Sequence, residues 1–281
     1  MRAVSGFING VSEASLSPFD RGLSYGHGLF ETLRLHQGGL PLWDQHLRRL
    51  TAGADKLFIP FDAALLQGFV DQSLAHFPAN GIVKITLTAG EGARGYRYQP
   101  ARSNYLVQYF DLPSPPLSSP ASVVLQPCVY RLPDNPRLAG IKHLNRLDQV
   151  LAASELADAC DGLLLDTQDR VIEALGSNLF MLRDGRWLTP DLTRAGVAGV
   201  MRGYLQAEVF PGRGVEVVIA DITLADVAAA EEVFICNAVM GIRPVHEIRG
   251  VAVWDLANWG VGSQTLALRA ELSRQLPCFV A

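Results

Sequence analysis

The alternation of apolar and polar residues predicts a small sheet with helices in the first 110 residues. The two-residue period typical of half-buried strands predicts strands at 3–9, 28–36, 83–89 and 103–110. Apolar residues recur at helical spacing after Asp44 and again after Asp62, and each of these acids is suited to the start of a helix. We expect these helices to cover one face of the sheet.

The second part of the chain has a mixed pattern. It predicts strands near 121–130, 162–166, 178–183, 215–220 and 231–236, and helices near 145–159, 198–209, 223–230 and 263–275. The helix at 145–159 would carry Leu147, Val150, Leu151 and Leu156 on roughly one face. Strands and helices do not alternate strictly enough for a (β/α)₈ barrel, so the predicted class is α+β.

A segment rich in proline and serine, 111–120, separates the two patterns and is unsuited to a helix or a central strand. We predict that it links a small N-terminal α/β two-layer domain, 1–110, to a larger C-terminal domain, 121–281. A chain of 281 residues is long enough for two cores. Crevices between domains commonly hold small molecules, so we expect a ligand there.

Composition narrows the class of partner. The net charge is −4, and no run of basic residues is longer than Arg48-Arg49, which argues against a nucleic-acid surface. No apolar stretch reaches the length of about 18 residues that a membrane helix needs, and Met1–Phe7 does not open a signal peptide. We expect a cytoplasmic protein that binds a small molecule, with no nucleic-acid or membrane partner.

The four cysteines, Cys128, Cys160, Cys236 and Cys278, are widely spaced and form no Cys-x-x-Cys pair. This spacing favours neither a zinc site nor a disulfide framework. We expect reduced, mostly buried thiols and no metal centre.

The segment Gly90–Gly95 matches the G-x-G-x-x-G pattern and follows a predicted strand. No amphipathic helix follows at 96–100, so no helix N-terminus is available for a dinucleotide pyrophosphate. We interpret the glycines as a flexible loop that carries Arg94 and Arg97 towards a ligand. The alternative is an ordinary surface turn.

Lys142 lies in an irregular, apolar stretch immediately before a predicted helix, which Asn145 is placed to cap. A lysine at such a position is usually a solvated side chain. Ile141 and Leu144 flank it, however, and a desolvated lysine shifts towards the neutral amine that forms imines.

Glu173 stands among apolar residues just after the turn 166–170. A buried acid there needs a positive or protonated partner, and a protonated pyridine nitrogen is one such partner. The alternative places Glu173 on the solvent face of an edge strand.

The segment Gly196–Arg202 opens a predicted helix with small residues and no acid. Free amides at a helix N-terminus bind phosphate, and small side chains allow an anion to approach. Thr189, Thr193 and the turn at 236–238 are candidate additional donors.

Several spaced motifs resemble those of the fold type IV family of pyridoxal-phosphate enzymes, which contains branched-chain and D-amino-acid aminotransferases and 4-amino-4-deoxychorismate lyases. The resemblance covers nearly the whole chain and rests on 19–34, His46–Leu50, Gly140–Leu147, Glu173 with Asn178–Phe180, Gly196–Arg202 and Cys236–Ala238. It implies the cofactor pyridoxal 5′-phosphate, a mixed α/β pseudo-barrel as the larger domain, and a homodimer.

The resemblance also implies roles position by position. Lys142 would form the imine with the cofactor, Glu173 would pair with the pyridine nitrogen, and Arg49 would bind the phosphate. The remaining cofactor contacts would come from the amides of Val197 and Ala198, the Asn237-Ala238 turn and Asn178.

Within the family, the segment Gly140–Leu147 followed by Asp148-Gln-Val most resembles that of the lyases. That resemblance implies elimination of pyruvate from 4-amino-4-deoxychorismate to give 4-aminobenzoate for folate synthesis. An aminotransferase acting on D-amino or branched-chain amino acids would use the same Lys142, Glu173 and Arg49. A third class, a cofactor carrier without catalysis, would not need both Lys142 and Glu173.

A substrate with two carboxylates requires cationic donors, and Arg94, Arg97 and Arg146 are the candidates. One position departs from the family pattern. Many relatives have an acid where this chain has His27, which leaves its polar contacts open.

Overall fold

The computed structural model describes residues 3–12, 14–99, 102–112, 122–157, 160–254 and 263–279. The chain divides into two compact units, one formed by Met1–Pro115 with Ile141–Asn145 and the other by Pro116–Gly140 with Arg146–Ala281. Most of the expected linker, 113–120, lies outside the described residues. The segment Ile141–Asn145 was expected in the C-terminal domain and instead belongs to the N-terminal unit.

Backbone hydrogen bonds explain this difference. Phe30 N donates to Lys142 O at 2.9 Å, and Leu144 N donates to Gly28 O at 3.0 Å. The segment therefore extends the N-terminal sheet by a short antiparallel pairing, which the sequence pattern alone did not indicate.

The N-terminal unit is a sheet with helices. Its elements are β1 (Ala3–Ile8), β2 (Val11–Ser12), α1 (Arg21–Tyr25), β3 (Gly28–Leu35), α2 (Trp43–Lys56), α3 (Ala63–Leu74), β4 (Gly81–Thr88) and β5 (Asn104–Phe110). Among the described residues its five strands follow the order β2-β1-β5-β4-β3, and all neighbours are antiparallel. Every strand predicted in this part is present, and the Asp62 side chain caps α3.

The side chains on one face of this sheet form the core of the N-terminal unit. Leu29, Leu33, Val83, Ile85 and Leu87 are buried on alternate positions of β3 and β4. Gly53 of α2 lies against Leu29, and Phe69 of α3 lies against Tyr105 of β5. The helices therefore cover one face of the sheet, as the periodicity predicts, while Phe30, Thr32 and Lys84 belong to the other face.

The C-terminal unit is built on a mixed sheet. Its elements are β6 (Val123–Leu132), α4 (Leu147–Ala153), β7 (Cys160–Asp166), β8 (Val171–Ala174), β9 (Asn178–Arg183), β10 (Arg186–Pro190), α5 (Val200–Tyr204), a π-helical turn (Leu205–Val209), a 3₁₀ turn (Pro211–Arg213), β11 (Val217–Ala220), α6 (Leu224–Ala228), β12 (Glu232–Asn237), β13 (Gly241–Ile248), β14 (Ala252–Val253) and α7 (Gln264–Gln275). Within the described ranges the strand order is β11-β10-β9-β12-β13-β6-β7-β8, with β14 paired to β13. Parallel and antiparallel pairs occur in one sheet, which confirms the α+β class.

Aromatic rings anchor the middle of this sheet. Phe180 of β9 stacks on Phe234 of β12 with ring centroids 5.0 Å apart, and Trp187 of β10 lies 5.2 Å from Phe234. All three side chains are buried. These contacts hold β9, the strand that begins at Asn178.

The helix predicted at 145–159 is shorter in the structure. It spans Leu147–Ala153, its N-cap residue is Arg146, and the expected cap Asn145 instead donates from Nδ2 to Gly26 O at 3.1 Å. The expected apolar face is also exposed, since Leu147 and Val150 are 74% and 60% accessible.

All four cysteines are free thiols, and three of them are buried. Among the described residues, no helix is both long enough and apolar enough to cross a bilayer.

Candidate active site

Lys142 is positioned by its pairing with β3. His143 bridges Leu29, and the Lys142 carbonyl accepts from Phe30 N. The Lys142 side chain is partly buried, and its Nζ lies 4.5 Å from the centroid of the Phe30 ring. The amine is therefore held against an aromatic face, which differs from the solvated position that is usual for lysine.

Arg49 projects from α2 onto a buried acid of β3. Its Nε donates to Glu31 Oε1 at 2.8 Å, and its Nη2 donates to Glu31 Oε2. Glu31 is 2% exposed, and Oε2 also lies 2.6 Å from His46 Nδ1. The neighbouring Arg48 is exposed and donates to the carbonyl of its own helix residue Asp44. Arg49 and Arg48 thus point in different directions, because consecutive helix residues are about 100° apart.

The charges of this cluster are set by burial and pairing. Burial raises the pKa of Glu31, but the charge of Arg49 and the hydrogen bonds from His46 and Arg49 outweigh it and lower the pKa to about 2. Burial lowers the pKa of His46 and outweighs its contact with Glu31. At neutral pH the cluster therefore consists of a carboxylate, a guanidinium and a neutral imidazole that donates from Nδ1.

The sequence argument missed Glu31 and His46. The available signal was an acid at position 31, on the same alternate positions as Leu29 and Leu33 in β3. An acid on the buried side of a strand requires a cation, and Arg49 on the covering helix is that cation.

Glu173 lies on β8 and is 4% exposed. Its Oε2 accepts a hydrogen bond from Val197 N at 2.9 Å. The alternative position on a solvent-facing edge is therefore wrong. The hydrogen bond orients the carboxylate, and a buried acid at this position is suited to pair with a neighbouring protonated nitrogen.

The two amides assigned to a phosphate are engaged elsewhere. Val197 N donates to Glu173, and Ala198 N donates to Gly140 O at 3.1 Å. The expectation that these amides contact the phosphate is therefore corrected. The helix begins later than expected, since α5 starts at Val200 with Gly199 as its N-cap. Its first-turn amides have no acceptor within the helix, as is general for helix starts.

Asn178 supports this loop instead of pointing outwards. Its Nδ2 donates to Val197 O at 2.9 Å, and the side chain is buried. A β-carbon on Gly199 would lie only 1.9 Å from Asn178 Oδ1, so only glycine fits there without displacing Asn178. Asn178 thereby fixes the turn that leads into α5.

The other residues that were expected to donate hydrogen bonds to the phosphate already have hydrogen-bond partners within the protein. Asn237 Oδ1 accepts from Val239 N and Met240 N, and its Nδ2 donates to Ser177 Oγ at 3.0 Å, so it organises the turn containing Ala238. The Thr189 hydroxyl donates to Leu179 O, and the Thr193 hydroxyl donates to Asp191. Both threonine hydroxyls therefore donate their hydrogen bonds to other groups of the protein.

Hydrogen bonds to side chains of α1 hold the glycine-containing loop Gly90–Gly95 in place. Buried Arg21 donates from Nη1 to Gly95 O at 3.0 Å, and Gly95 N donates to the Tyr25 hydroxyl. His27 Nε2 lies 2.8 Å from Leu57 O, where it must donate, so Nδ1 accepts from Arg21 Nε. His27 thus orients Arg21, which answers the question left by its departure from the family pattern.

The candidate substrate arginines differ in accessibility. Arg94 and Arg97 are exposed on this anchored loop, and Arg146 is partly buried at the start of α4. Their contact with a substrate stays a prediction. No grouping of His, Cys, Asp and Glu suited to a metal ion occurs in the described part of the chain.

Comparison with known proteins gives consistent matches over most of the chain. The family model described as amino-transferase class IV matches residues 28–248. The aminodeoxychorismate lyase of Vibrio harveyi is 34% identical over 282 residues, which cover 95% of this chain and 99% of the relative. The D-alanine aminotransferase of Listeria innocua is 28% identical and covers 87% of this chain and 86% of the relative. The crystal structure of 4-amino-4-deoxychorismate lyase from Pseudomonas aeruginosa superposes with a TM-score of 0.89 at 41% identity, covering 96% of this chain and 99% of that one.

Proposed function

The chain belongs to the class IV aminotransferase family, and on that premise we propose that it is a pyridoxal-phosphate-dependent 4-amino-4-deoxychorismate lyase. The reaction gives 4-aminobenzoate and pyruvate. The observation that carries the proposal is the match to a lyase structure at 41% identity over 96% of the chain, with a second lyase at 34% over 95%.

The residues present fit the cofactor. The aldehyde of pyridoxal 5′-phosphate would form an imine with an amine, and Lys142 Nζ is held in place over Phe30. A protonated ring nitrogen requires a buried acid, which Glu173 supplies, and a phosphate requires an oriented cation, which Arg49 supplies. When bound, the cofactor supplies an electron sink for negative charge that develops beside the substrate amine.

Each protein group then has a defined task. Lys142 Nζ takes the proton from the ring carbon that bears the amino group. The carbon–oxygen bond at the adjacent ring carbon breaks, and the departing enolpyruvate takes up a proton to become pyruvate. Glu173 would hold a proton at the ring nitrogen of the cofactor, and the hydrogen bond from Val197 N orients its carboxylate. The loss of this proton and of enolpyruvate leaves an aromatic ring, which favours the products.

The phosphate contacts require revision. Arg49 remains the assigned cation, while the amides of Val197 and Ala198 are replaced by the first-turn amides of Val200 and Met201 at the start of α5. Asn178 supports the turn that leads into α5, and Asn237 organises the separate turn that contains Ala238.

The test is a stoichiometric assay. Cofactor-loaded protein is incubated with 4-amino-4-deoxychorismate, and 4-aminobenzoate is followed by fluorescence while pyruvate is measured by coupling to lactate dehydrogenase. We expect equal amounts of the two products with no 2-oxo acid added. Absence of both products from fully loaded protein would refute the proposal.

An aminotransferase is the second candidate, since a D-alanine aminotransferase is 28% identical over 87% of the chain. D-alanine or L-leucine alone would then yield one equivalent of 2-oxo acid per active site in a single turnover. A lyase should give far less than one equivalent under the same conditions.

We further propose that the protein is a cytoplasmic homodimer. Leu147, Val150 and Leu151 of α4 are exposed, and clustered exposed apolar side chains are typical of protein interfaces. Sedimentation analysis of the wild type and of Val150→Asp would test this, with a shift of the variant to monomer expected.

A further inference from the structure

Arg21 is a buried cation that contacts uncharged groups. It is 4% exposed, and none of the ion pairs among the described residues includes it. Its Nη1 donates to Gly95 O at 3.0 Å and to Ala93 O at 3.4 Å, and its Nε donates to His27 Nδ1 at 3.3 Å. A guanidinium removed from water without an acid has a large desolvation cost, and these acceptors help to offset it. Two of the three belong to the glycine-containing loop.

Two tyrosine rings enclose the same guanidinium. Arg21 Cζ lies 4.6 Å from the ring centroid of Tyr25 and 5.3 Å from that of Tyr98, and cation–π contacts of this kind stabilise a buried cation. The Tyr25 hydroxyl accepts from Gly95 N at 2.9 Å, and the Tyr98 hydroxyl donates to Ala89 O at 3.1 Å. Arg21 therefore lies between α1 and the loop, and it contacts both.

The backbone of the loop Gly90–Tyr98 passes close to Arg21. A β-carbon on Gly92 would lie 2.7 Å from Arg21 Cδ, so a side chain at this position would displace the arginine. Gly92 N donates to Phe19 O at 3.4 Å, and Arg21 N donates to Gly90 O at 2.8 Å. The path of the loop thus depends on the position of one guanidinium.

His27 couples this position to a proton. Its Nε2 lies 2.8 Å from Leu57 O and must donate there, so its Nδ1 carries no hydrogen and accepts from Arg21 Nε. A proton on Nδ1 would face the Nε hydrogen of Arg21 and would place two positive charges about 3 Å apart. Histidine is the side chain whose charge changes most readily between about pH 5 and pH 8.

The surroundings of His27 offer no acid to offset that second charge. Among the described residues no carboxylate pairs with its ring, and the other titratable group that contacts it is Tyr98, whose ring centroid is 4.8 Å away. Asp20, the acid nearest in sequence, is fully buried and already accepts three hydrogen bonds. The end of α2 that precedes the Leu57 carbonyl carries Asp55 and Lys56, of opposite charge. Proton uptake by His27 therefore acts mainly as repulsion on the guanidinium.

We propose that Arg21 and His27 are positioning residues that hold the loop Gly90–Tyr98 against α1, and that proton uptake by His27 releases it. The loop carries Arg94 and Arg97, which the sequence predicts to meet the carboxylates of the substrate. A released loop should bind the substrate less tightly, so KM should rise as the pH falls. This step rests on the proposed function, whereas the attachment of the loop to α1 does not.

His27→Gln tests the role of the proton. Its amide carries one donor and one acceptor in place of the two ring nitrogens and does not titrate in this range. We expect KM for 4-amino-4-deoxychorismate to be close to wild type at about pH 8. The ratio of wild-type KM to His27→Gln KM should rise about tenfold between pH 8 and pH 5.5, with the ratio of kcat values near one. Effects of pH on the substrate or on Lys142 cancel in these ratios.

Two more variants complete the kinetic test. His36→Gln changes a histidine that follows the far end of β3 and should keep the wild-type pH profile. Arg21→Met removes the bonds to the loop and should raise KM already at about pH 8. A wild-type KM for Arg21→Met, or a ratio for His27→Gln that stays at one across the pH range, would overturn the proposal.

Hydrogen exchange gives a readout that needs no turnover. The amide of Gly95 donates to the Tyr25 hydroxyl, so its protection reports whether the loop is attached. In cofactor-loaded protein without substrate, protection relative to the intrinsic rate at each pH should fall about tenfold between pH 8 and pH 5.5 in the wild type and stay constant in His27→Gln. Tyr25→Phe removes the acceptor and should lower this protection at both pH values. Equal pH dependence in the wild type and His27→Gln would contradict the role of His27.

Failure of this inference differs from failure of the proposed function. If wild-type protein forms no 4-aminobenzoate at any pH, the proposed function fails, and hydrogen exchange still tests the attachment of the loop. If the wild type is active and His27→Gln has the same pH profile of KM, only the positioning role fails.

Discussion

Replacement of Arg49 by alanine should destabilise the N-terminal unit as well as weaken cofactor binding. Arg49 makes two hydrogen bonds to Glu31, which is 2% exposed. Without the guanidinium, the Glu31 carboxylate stays buried with His46 as its remaining partner from the cluster. A buried charge that loses its partner costs about 3–5 kcal/mol.

The pKa of Glu31 gives an independent magnitude. Its decrease from 4.5 to about 2 corresponds to roughly 3 kcal/mol of stabilisation of the ionised form at neutral pH. Because the folded pKa lies below the unfolded one, this stabilisation is complete above pH 4.5 and is lost as the pH falls towards 2. The stability difference between wild type and Arg49→Ala should therefore be largest near neutral pH and shrink below pH 4.5.

The assay is thermal or urea unfolding of cofactor-free protein at several pH values, so that cofactor binding does not contribute. Arg48→Ala is the matched control, and its cost should be below about 1 kcal/mol, because its exposed side chain donates only to its own helix. The double variant Glu31→Gln/Arg49→Ala should be more stable than Arg49→Ala, since it no longer buries an unpaired charge. Equal costs for Arg48→Ala and Arg49→Ala, or a double variant less stable than Arg49→Ala, would refute this account.

Three further changes test the candidate site. Lys142→Ala should abolish turnover while the protein stays folded, and borohydride reduction with peptide mapping should find the cofactor on Lys142 in the wild type; cofactor on another lysine would show that the assignment is wrong. Glu173→Gln keeps an acceptor for Val197 N and should retain cofactor, yet single-turnover formation of 4-aminobenzoate should slow by about two to four powers of ten; a wild-type rate at full occupancy would exclude Glu173. Gly199→Ala should displace Asn178 and lower stability by about 1–3 kcal/mol, whereas Gly203→Ala, with open space around its β-position, should be neutral or stabilising; similar results for both would contradict the described turn.

Local pattern was sufficient for most of the elements. The strands from 28–36, 83–89 and 103–110 and the helices after Asp44 and Asp62 correspond to β3, β4, β5, α2 and α3. The strands β8, β10 and β13 were not predicted. For β8 the reason is that it is four residues long and fully buried, so it has no polar alternation. The helix at 145–159 was extended too far, since its apolar positions are exposed and so do not indicate a buried helix face.

The amino-acid sequence alone determined the residue types and the motif order on which the predicted assignment of Lys142, Glu173 and Arg49 to one cofactor rests. The tertiary structure decided which hydrogen-bond donors those residues meet. Val197 N donates to Glu173, and Ala198 N donates to Gly140 O, so neither amide is left for an anion. Which acceptor an amide finds depends on chain segments far away in sequence, and residue spacing contains no information about them.

The same reason applies to the two clusters that sequence reasoning missed. Arg49 meets Glu31 because a helix covers the buried face of β3, and Lys142 meets the Phe30 ring because its segment pairs with β3. Periodicity shows which face of an element is buried, since that depends on neighbours a few residues away. Contacts between separate strands and helices depend on pairing and register, and therefore only the folded chain determines them.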